Sequence, residues 1–286
     1  MLQYSEIAAT RRRIAEFQLF RPDSIDEACE ILAEAPEATV LHAGGIDLVN
    51  RLKTGYAPGR IVALKAVERM QDIRIFDDRI EIGAAASHWQ IENHAGLKIS
   101  LPMLPAYVAG LGNIRVRVQG TIGGNILAGE PVYEMLPLLG VLDAELTFFD
   151  ASRRSWFKLA ARDYRRGPTA PPFLTAITIP QRSRSVIWDR RLRPALAMVL
   201  SLDWDGDMIR SGTAVLTGDR GGPLFTSLPA DRLSRSQAAA NCADIAADWA
   251  RLFPSVDLPS GPGPDYCRHV AGVMLRRALQ NCLLPS

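Results

Sequence analysis

Apolar positions near the N-terminus predict alternating helices and strands. Ser24 and Glu27 match the capping-box pattern with which helices often begin. Apolar residues then recur at helical spacing from Ile25 to Leu32, which predicts a helix with one buried face. The elements predicted next are a strand at 39–43, a helix at 47–53 and a strand at 61–64. This order is β–α–β-like, and Gly44-Gly45 ends the first of these strands.

The middle of the chain combines a hairpin with helices. Apolar and polar residues alternate over 72–86, which predicts two paired strands. Ser87 and Gln90 repeat the capping box, so a helix should follow. The spacing of His88 and His94 does not suit a helical metal pair, and we expect surface or hydrogen-bonded histidines there. Further elements predicted are helices at 102–111 and 131–142 and strands at 145–149 and 174–180.

A shift in composition near residue 185 suggests a separate C-terminal part. Apolar runs at 195–204 and 208–215 flank Asp205-Gly206, which is a strong hairpin signal. Two helices are predicted to end the chain, at 236–252 and 265–283. This region therefore predicts a small α+β domain.

The composition is that of an ordinary globular protein. Of 286 residues, 48% are hydrophobic and 22% are charged, which excludes disordered, collagen-like and coiled-coil classes. At about 150 residues per domain, this length predicts about two domains. The 33 basic and 31 acidic residues leave a net charge of +2, which is too balanced for a dedicated nucleic-acid binder.

The cysteines and the apolar runs bear on metal binding and compartment. Four cysteines lie far apart, without CxxC pairs or zinc-ligand spacing: Cys29, Cys242, Cys267 and Cys282. We therefore expect no iron–sulfur cluster and no zinc in this chain. We find no signal-peptide-like stretch, and no apolar run reaches the roughly 18 residues of a membrane span. These observations predict a cytoplasmic protein without a membrane span.

Most catalytic and nucleotide-binding motifs are missing, but two glycine-rich loops remain. The sequence contains no GxGxxG fingerprint, P-loop, GxSxG elbow or HExxH pair. The loops are AGG at 43–45 and GTIGG at 120–124. Glycines allow close approach, and successive amides can donate to phosphate oxygens, with a hydroxyl from Thr121 and an amide from Asn125. Either loop alone is typical of an ordinary turn, whereas the two together favour a dinucleotide held by backbone groups.

Both glycine loops lie inside longer segments that resemble one protein family. The segments are VLHAGGIDLVNRLK at 40–53, IRVRVQGTIGGNILAGEPVYEMLPLL at 114–139, FRPDSIDEACEIL at 20–32, LTAITIP at 174–180 and YCRHVAGVMLRRAL at 266–279. They are similar to the FAD-binding medium subunit of the molybdenum hydroxylases, the family of carbon monoxide dehydrogenase and bacterial xanthine dehydrogenase-type enzymes. The resemblance extends over most of the chain, and the paired glycine motifs together with the C-terminal match make it specific.

The resemblance implies an α+β fold with two domains. A two-lobed FAD-binding domain of the vanillyl-alcohol-oxidase (PCMH) type would span 16–185, with subdomains at about 16–70 and 71–185. A small α+β C-terminal domain would follow at 186–286. Residues 1–15 would form an N-terminal extension.

The resemblance also assigns FAD contacts. The first loop and the residues that lead into it are expected to contact the FAD diphosphate. These residues are Val40, Leu41, His42, Ala43, Gly44, Gly45, Ile46 and Asp47. The second loop adds Gly120, Thr121, Ile122, Gly123, Gly124 and Asn125, with Val116 just upstream. Further contacts toward the ribityl chain and the flavin are expected at Ala128, Glu134, Leu174 and Arg190. No catalytic acid–base residue and no metal ligand is expected in this chain.

The chain departs from the family pattern at three positions. Ile46 stands where the family's first loop has a hydroxyl residue, which removes a hydrogen bond worth about 0.5–1.5 kcal/mol. Val118 replaces the usual asparagine before the second loop, and Glu134 replaces an aspartate. The backbone donors survive these changes, so we expect FAD to bind.

An electron-transfer role follows from the resemblance. Substrate would be hydroxylated at a molybdenum cofactor in a large molybdopterin subunit. Electrons would pass through two [2Fe–2S] clusters of a small subunit to FAD in this chain, and from FAD to an external acceptor. The expected assembly is a dimer of heterotrimers, without nucleic acid.

Two alternatives stay open on the sequence. A stand-alone FAD oxidoreductase of the same fold would need its own substrate pocket, and His42 is the loop histidine that covalent flavin attachment would use. A flavin-free assembly subunit is motivated by Ile46 and Val118, which remove expected FAD contacts.

Overall fold

A computed structural model describes residues 14–129, 133–165, 172–189, 196–218, 223–228, 233–253 and 264–283. The chain packs as two compact units. The first contains the described residues within Met1–Gly129, Glu145–Leu159 and Arg166–Thr178, and the second contains those within Glu130–Ala144, Ala160–Arg165 and Ile179–Ser286. The domain boundaries expected near residues 70 and 185 stay a prediction.

The first unit begins with a three-stranded parallel sheet. Its strands, in the order β1-β3-β2, are β1 (Gln18–Phe20), β2 (Thr39–His42) and β3 (Arg60–Ala63). Two helices accompany it, α1 (Ile25–Glu34) and α2 (Ile46–Lys53). As predicted, Ser24 caps α1, because its hydroxyl accepts the Glu27 amide. Leu48 and Leu52 of α2 pack with Ile61 of β3, which fixes the helix that follows the first glycine loop.

A five-stranded sheet continues the first unit, in the order β4-β5-β8-β6-β7. Its strands are β4 (Ile73–Ile75), β5 (Arg79–Gly83), β6 (Glu145–Asp150), β7 (Ser155–Ala160) and β8 (Phe173–Pro180). Strands β4 and β5 form the predicted antiparallel hairpin. Five helices follow β5 along the chain: α3 (His88–Asn93), α4 (Ala95–Ser100), α5 (Met103–Ala109), α6 (Ile114–Gln119) and α7 (Ile122–Ala128). The second glycine loop lies where α6 ends and α7 begins.

The second unit is built on a four-stranded antiparallel sheet in the order β12-β11-β10-β9. Its strands are β9 (Arg184–Asp189), β10 (Leu196–Asp205), β11 (Met208–Gly218) and β12 (Leu224–Ser227). Its helices are α8 (Met135–Val141), α9 (Arg235–Ala240), α10 (Cys242–Leu252) and α11 (Pro264–Leu283). Leu200 and Leu202 of β10 share a buried cluster with Trp249 and Leu275 from the C-terminal helices. Neither α11 nor any other helix in the described ranges is long and apolar enough to cross a membrane.

Two predicted helices differ from the structure. The helix expected at 236–252 is two helices, because Asn241 ends α9, with its side-chain amide donating to the Gln237 carbonyl, and precedes α10. The helix expected at 131–142 begins only at Met135. Pro137 then falls in the first turn, where its missing N–H leaves no helical bond unmade.

Gly140 of α8 permits a close contact within the second unit. A Cβ at position 140 would overlap the Phe225 ring of β12. We therefore expect Gly140→Ala to lower the free energy of unfolding by about 1–3 kcal/mol through overpacking, as measured by urea denaturation. Gly59→Ala is the matched control, because no described atom lies within 4 Å of the Cβ position there. Equal losses from the two substitutions would contradict the packing account.

Candidate functional site

The first glycine loop joins strand β2 to helix α2. Gly45 directly precedes the helix with a φ of 75°, a left-handed conformation that costs most other residues about 1–2 kcal/mol. No side chain in the described part of the chain caps α2. The first intrahelical bond runs from the Val49 amide to the Gly45 carbonyl, at 3.0 Å. The amides of Ile46, Asp47 and Leu48 therefore come before the helical bonds and point out of the helix N-terminus.

The amides of the second glycine loop already have hydrogen-bond partners within the chain. The Thr121 hydroxyl caps α7 by accepting the Gly124 amide at 3.1 Å, and the Thr121 carbonyl accepts the Asn125 amide at 2.9 Å. The amides of Ile122 and Gly123 also donate to backbone carbonyls. The expectation that both loops offer successive amides to phosphate therefore needs correction for this loop. The donor that the second loop can still offer to a ligand is the hydroxyl proton of Thr121. The residues of this loop remain predicted FAD contacts.

The two loops are in direct contact. A Cβ at Gly44 would overlap the carbonyl group of Gln119 and would lie 3.1 Å from Cα of Gly120. Only a glycine allows the two backbones to approach this closely. Because Gly120 and Thr121 are consecutive, the contact brings the N-terminus of α2 next to the turn that carries the Thr121 hydroxyl.

A buried segment that follows β5, residues 84–88, holds the second loop in place. The bonds run from Gly123 N to Ala84 O at 2.9 Å, from Ile122 N to Ala86 O at 3.0 Å, and from His88 N to Gly120 O at 3.0 Å. Sequence reasoning missed this segment as part of the site. The available signal was its run of three alanines, since small residues permit close approach of another backbone.

His88 ends this segment and is buried, with 2% of its surface exposed. Its Cδ2 lies 3.2 Å from the position of a Cβ on Gly120, and its Nδ1 has no hydrogen-bond partner in the described ranges. Burial, with a smaller contribution from Arg117, lowers the pKa of His88 from 6.5 to about 4. The expectation of a surface or hydrogen-bonded histidine is therefore wrong for His88. It is confirmed for His94, whose Nδ1 accepts the Leu97 amide at 3.2 Å.

Arg117 anchors the helix that leads into the second loop. Its Nε donates to Glu92 of α3 at 2.8 Å, and its Nη1 donates to the carbonyls of Leu111 and Gly112 at 3.3 and 3.2 Å. These bonds tie α6 to α3 and to the turn before α6. They also keep a positive charge near His88, which disfavours protonation of its imidazole.

The predicted contacts outside the loops are spread over several elements. Val40, Leu41 and His42 form the end of β2, and Ala43 follows them. Val116 lies in α6, where its carbonyl accepts the Gly120 amide at 2.6 Å. Ala128 ends α7, and Leu174 is buried in β8. Glu134 occupies the N-cap position of α8 in the second unit, and Arg190 lies outside the described residues.

This arrangement suits a diphosphate. The uncapped amides of α2 and the helix dipole favour an anion, and Thr121 can add a hydroxyl bond from the second loop. In the part of the chain that the structure describes, no group of histidine, cysteine and carboxylate side chains is placed to hold a metal.

Comparison with known families identifies the cofactor. Residues 15–182 match the model of the FAD binding domain in molybdopterin dehydrogenase. This chain belongs to that family. FAD is therefore the cofactor of this molybdopterin-dehydrogenase flavoprotein, as predicted, and the residues of the paired loops stay predicted contacts of its diphosphate.

Two curated relatives agree with this family. The carbon monoxide dehydrogenase medium chain of Afipia carboxidovorans is 30% identical over 283 residues, covering 92% of this chain and 96% of the relative. The caffeine dehydrogenase subunit beta of a Pseudomonas species is 25% identical over 208 residues, covering 71% of this chain and 68% of the relative. The prediction that the flavoprotein is an oxidoreductase component is thus confirmed.

Solved structures confirm the predicted fold. Reconstituted CO dehydrogenase from Oligotropha carboxidovorans contains a chain that matches with a TM-score of 0.78 and 25% identity, over 95% of this chain and 99% of that one. Quinoline 2-oxidoreductase from Pseudomonas putida 86 matches with a TM-score of 0.78 and 19% identity, over 95% and 98%. The flavoprotein therefore has the α+β fold of the PCMH-type FAD-binding domain followed by a C-terminal domain.

Gly44→Ala tests the contact between the loops. The added Cβ would push the Gln119 carbonyl away and separate the donors of the two loops. Losing one or two hydrogen bonds to FAD would raise its dissociation constant by about 10- to 100-fold, measured by titrating FAD into the deflavinated flavoprotein. Gly59→Ala again serves as the control, and an unchanged dissociation constant for Gly44→Ala would contradict the paired-loop site.

His88 predicts a pH dependence of stability. Its folded-state pKa of about 4 lies below the ordinary 6.5, so the unfolded chain binds the extra proton between these values. The stability that neutral His88 contributes is present above about pH 6.5 and is lost as the pH falls toward 4. In urea unfolding across this window, His88→Leu should lose less stability than the unsubstituted chain. The same loss in both would contradict the assignment.

Proposed function

We propose that this chain is the FAD-carrying electron-transfer subunit of a molybdenum-containing hydroxylase or dehydrogenase. It accepts electrons from [2Fe–2S] clusters of a small subunit and passes them from FAD to an external acceptor. The contact between Gly44 and the Gln119–Gly120 backbone carries the proposal. It presents backbone donors to a diphosphate in a chain of the molybdopterin-dehydrogenase FAD family.

The residues of this chain bind and orient the cofactor. FAD, when bound, supplies the redox chemistry. The amides of Ile46, Asp47 and Leu48 donate to its diphosphate, and the Thr121 hydroxyl donates from the second loop. The missing side chain at Gly44 lets both loops act on one ligand. No side chain of this chain needs to act as an acid or a base.

The buried thiols support the assignment of the clusters to another subunit. Burial, followed by the charge of Asp26, raises the pKa of Cys29 to about 12. Burial likewise raises the pKa of Cys282 to about 12, and Cys242 is buried as well. Such thiols stay protonated at neutral pH and are poor metal ligands.

We further propose that the partners are a small [2Fe–2S] subunit and a large molybdopterin subunit, assembled as a dimer of heterotrimers. The relatives support an assembly of several subunits, because their names describe subunits of dehydrogenases, a medium chain and a subunit beta. The cytoplasmic location expected from the sequence stays a prediction.

The proposed role is tested by supplying electrons from the small subunit. The chain is loaded with FAD and mixed anaerobically with the reduced [2Fe–2S] subunit. We expect the flavin absorbance to bleach, and we expect no turnover of purine or aldehyde substrates by the chain alone. Substrate turnover by the chain alone would favour a stand-alone oxidoreductase. Absence of bleaching would contradict electron transfer from the small subunit.

Position 46 offers a test of the first loop. Thr and Val are nearly the same size, so Ile46→Thr and Ile46→Val differ mainly in one hydroxyl group. Because this position lies beside the uncapped amides of α2, we expect the threonine variant to bind FAD more tightly than the valine variant, by about 2- to 10-fold. Equal dissociation constants in the FAD titration would show that position 46 does not face the ligand.

A further inference from the structure

His42 places an imidazole against the start of helix α2. It is the last residue of β2, and Gly45, which directly precedes α2, follows it closely. The Nε2 and Cδ2 atoms of His42 lie 2.7 and 3.5 Å from the position that a Cβ on Gly45 would occupy. Because Gly45 has no side chain, the ring lies directly against the backbone that leads into the free amides of Ile46, Asp47 and Leu48.

The register of the parallel sheet explains why the imidazole reaches α2. Val40 of β2 pairs with Ile61 of β3, and both pack with Leu48 and Leu52 of α2. Alternate residues of a strand point to the same face of a sheet, so His42 shares the face that α2 covers. Its ring therefore lies at the carboxyl end of β2, the end at which ligands of open α/β sheets bind.

The ring of His42 is open to a ligand. The residue is partly exposed, and its imidazole makes no hydrogen bond or ion pair in the described ranges. Neither of its nitrogens belongs to the fully buried polar atoms without a partner in those ranges. A ring nitrogen can therefore be reached from outside the chain, and an imidazole N–H can donate to an oxygen there.

No other side chain near the start of α2 offers an N–H group. Within residues 40–49, His42 is the one residue whose side chain has an N–H, and the range contains no lysine or arginine. The acid in the first turn is Asp47, and the nearest Arg51 nitrogen lies 3.9 Å from its carboxylate. Arg51 also lies over the Tyr56 ring. An anion at the α2 N-terminus thus has His42 as the side chain of this segment that can donate an N–H to it.

We propose that the His42 side chain binds the FAD diphosphate, with Nε2 donating a hydrogen bond to a phosphate oxygen held at the N-terminus of α2. A charged acceptor makes such a bond stronger than one between neutral groups. This inference rests on the proposed FAD site. It deepens that site by assigning a donor atom to a side chain, where the first loop otherwise acts through backbone amides.

Affinity for two ligands separates this role from packing. His42→Leu keeps an apolar side chain against Gly45 and removes both nitrogens, and we expect it to raise the dissociation constant of FAD about tenfold. The dissociation constant of ADP, which carries a diphosphate without a flavin, should rise by a similar factor. His42→Gln places an amide N–H near the position of Nε2 and should recover most of the affinity for both ligands.

His94 provides the matched control. Its Nδ1 has a structural partner, the Leu97 amide at the start of α4. We expect His94→Leu to lower the free energy of unfolding and to leave both dissociation constants unchanged. His42→Leu, measured without ligand, should leave the free energy of unfolding unchanged, because no hydrogen bond within the chain is lost.

Three results of these titrations would overturn the proposal. The first is an unchanged FAD dissociation constant in His42→Leu. The second is a loss of FAD affinity without any loss of ADP affinity, which would place His42 away from the diphosphate. The third is an equal loss in His42→Leu and His42→Gln, which would show that the donated N–H does not matter.

The hydrogen bond itself is observable by nitrogen NMR. In the full chain labelled with ¹⁵N-histidine, the His42 signals are assigned by their loss in His42→Gln. We expect the Nε2 resonance of His42 to shift as FAD is titrated in, and again when ADP replaces FAD. No shift in a chain that binds FAD would overturn this inference alone, whereas failure of the unsubstituted chain to bind FAD would overturn the proposed site as well.

Discussion

The close approach of Gly44 to the peptide between Gln119 and Gly120 is the constraint on which the site depends. The two segments belong to different parts of the first unit, since one joins strand β2 of the parallel sheet to helix α2 and the other lies between α6 and α7. Neither segment alone differs from a common turn. Because the two segments are in contact, hydrogen-bond donors from both can reach the same ligand.

The two loops differ in the hydrogen-bond donors that they leave free, because the helices that follow them begin differently. Helix α2 starts after a glycine without a side-chain cap, so its first amides remain for a ligand. Helix α7 starts after Thr121, which caps it, and residues 84–88 take up two further amides. We therefore propose that the first loop supplies the backbone donors to FAD, and that the second loop supplies a backbone surface and one hydroxyl.

Much of the fold was predictable from local sequence patterns. The capping residues Ser24 and Ser87 mark helix starts that the structure confirms, and Asp205-Gly206 marks the hairpin of β10 and β11. These patterns can be recognised in the sequence because the residues that interact lie within a few positions of each other. The family resemblance is readable for the same reason, because the segments that carry it are short and continuous.

The rest of the site depends on partners that are distant in sequence. The amides of Ile122 and Gly123 donate to carbonyls nearly forty residues upstream. No local sequence pattern predicts that pairing. The burial of His88 depends on the same pairing, so spacing rules for metal-binding histidines say nothing about it. Asn241 ends a helix within a run that apolar spacing treats as continuous.

Amide hydrogen exchange of the full chain, with and without FAD, tests the central claim most directly. The account predicts that the amides of Ile46, Asp47 and Leu48 exchange quickly without FAD and become protected when it is added. The amides of residues 122–125 should be protected in both conditions, because the chain already satisfies them. If FAD binds and the amides of the first loop show no added protection, the diphosphate does not lie there and the account is contradicted.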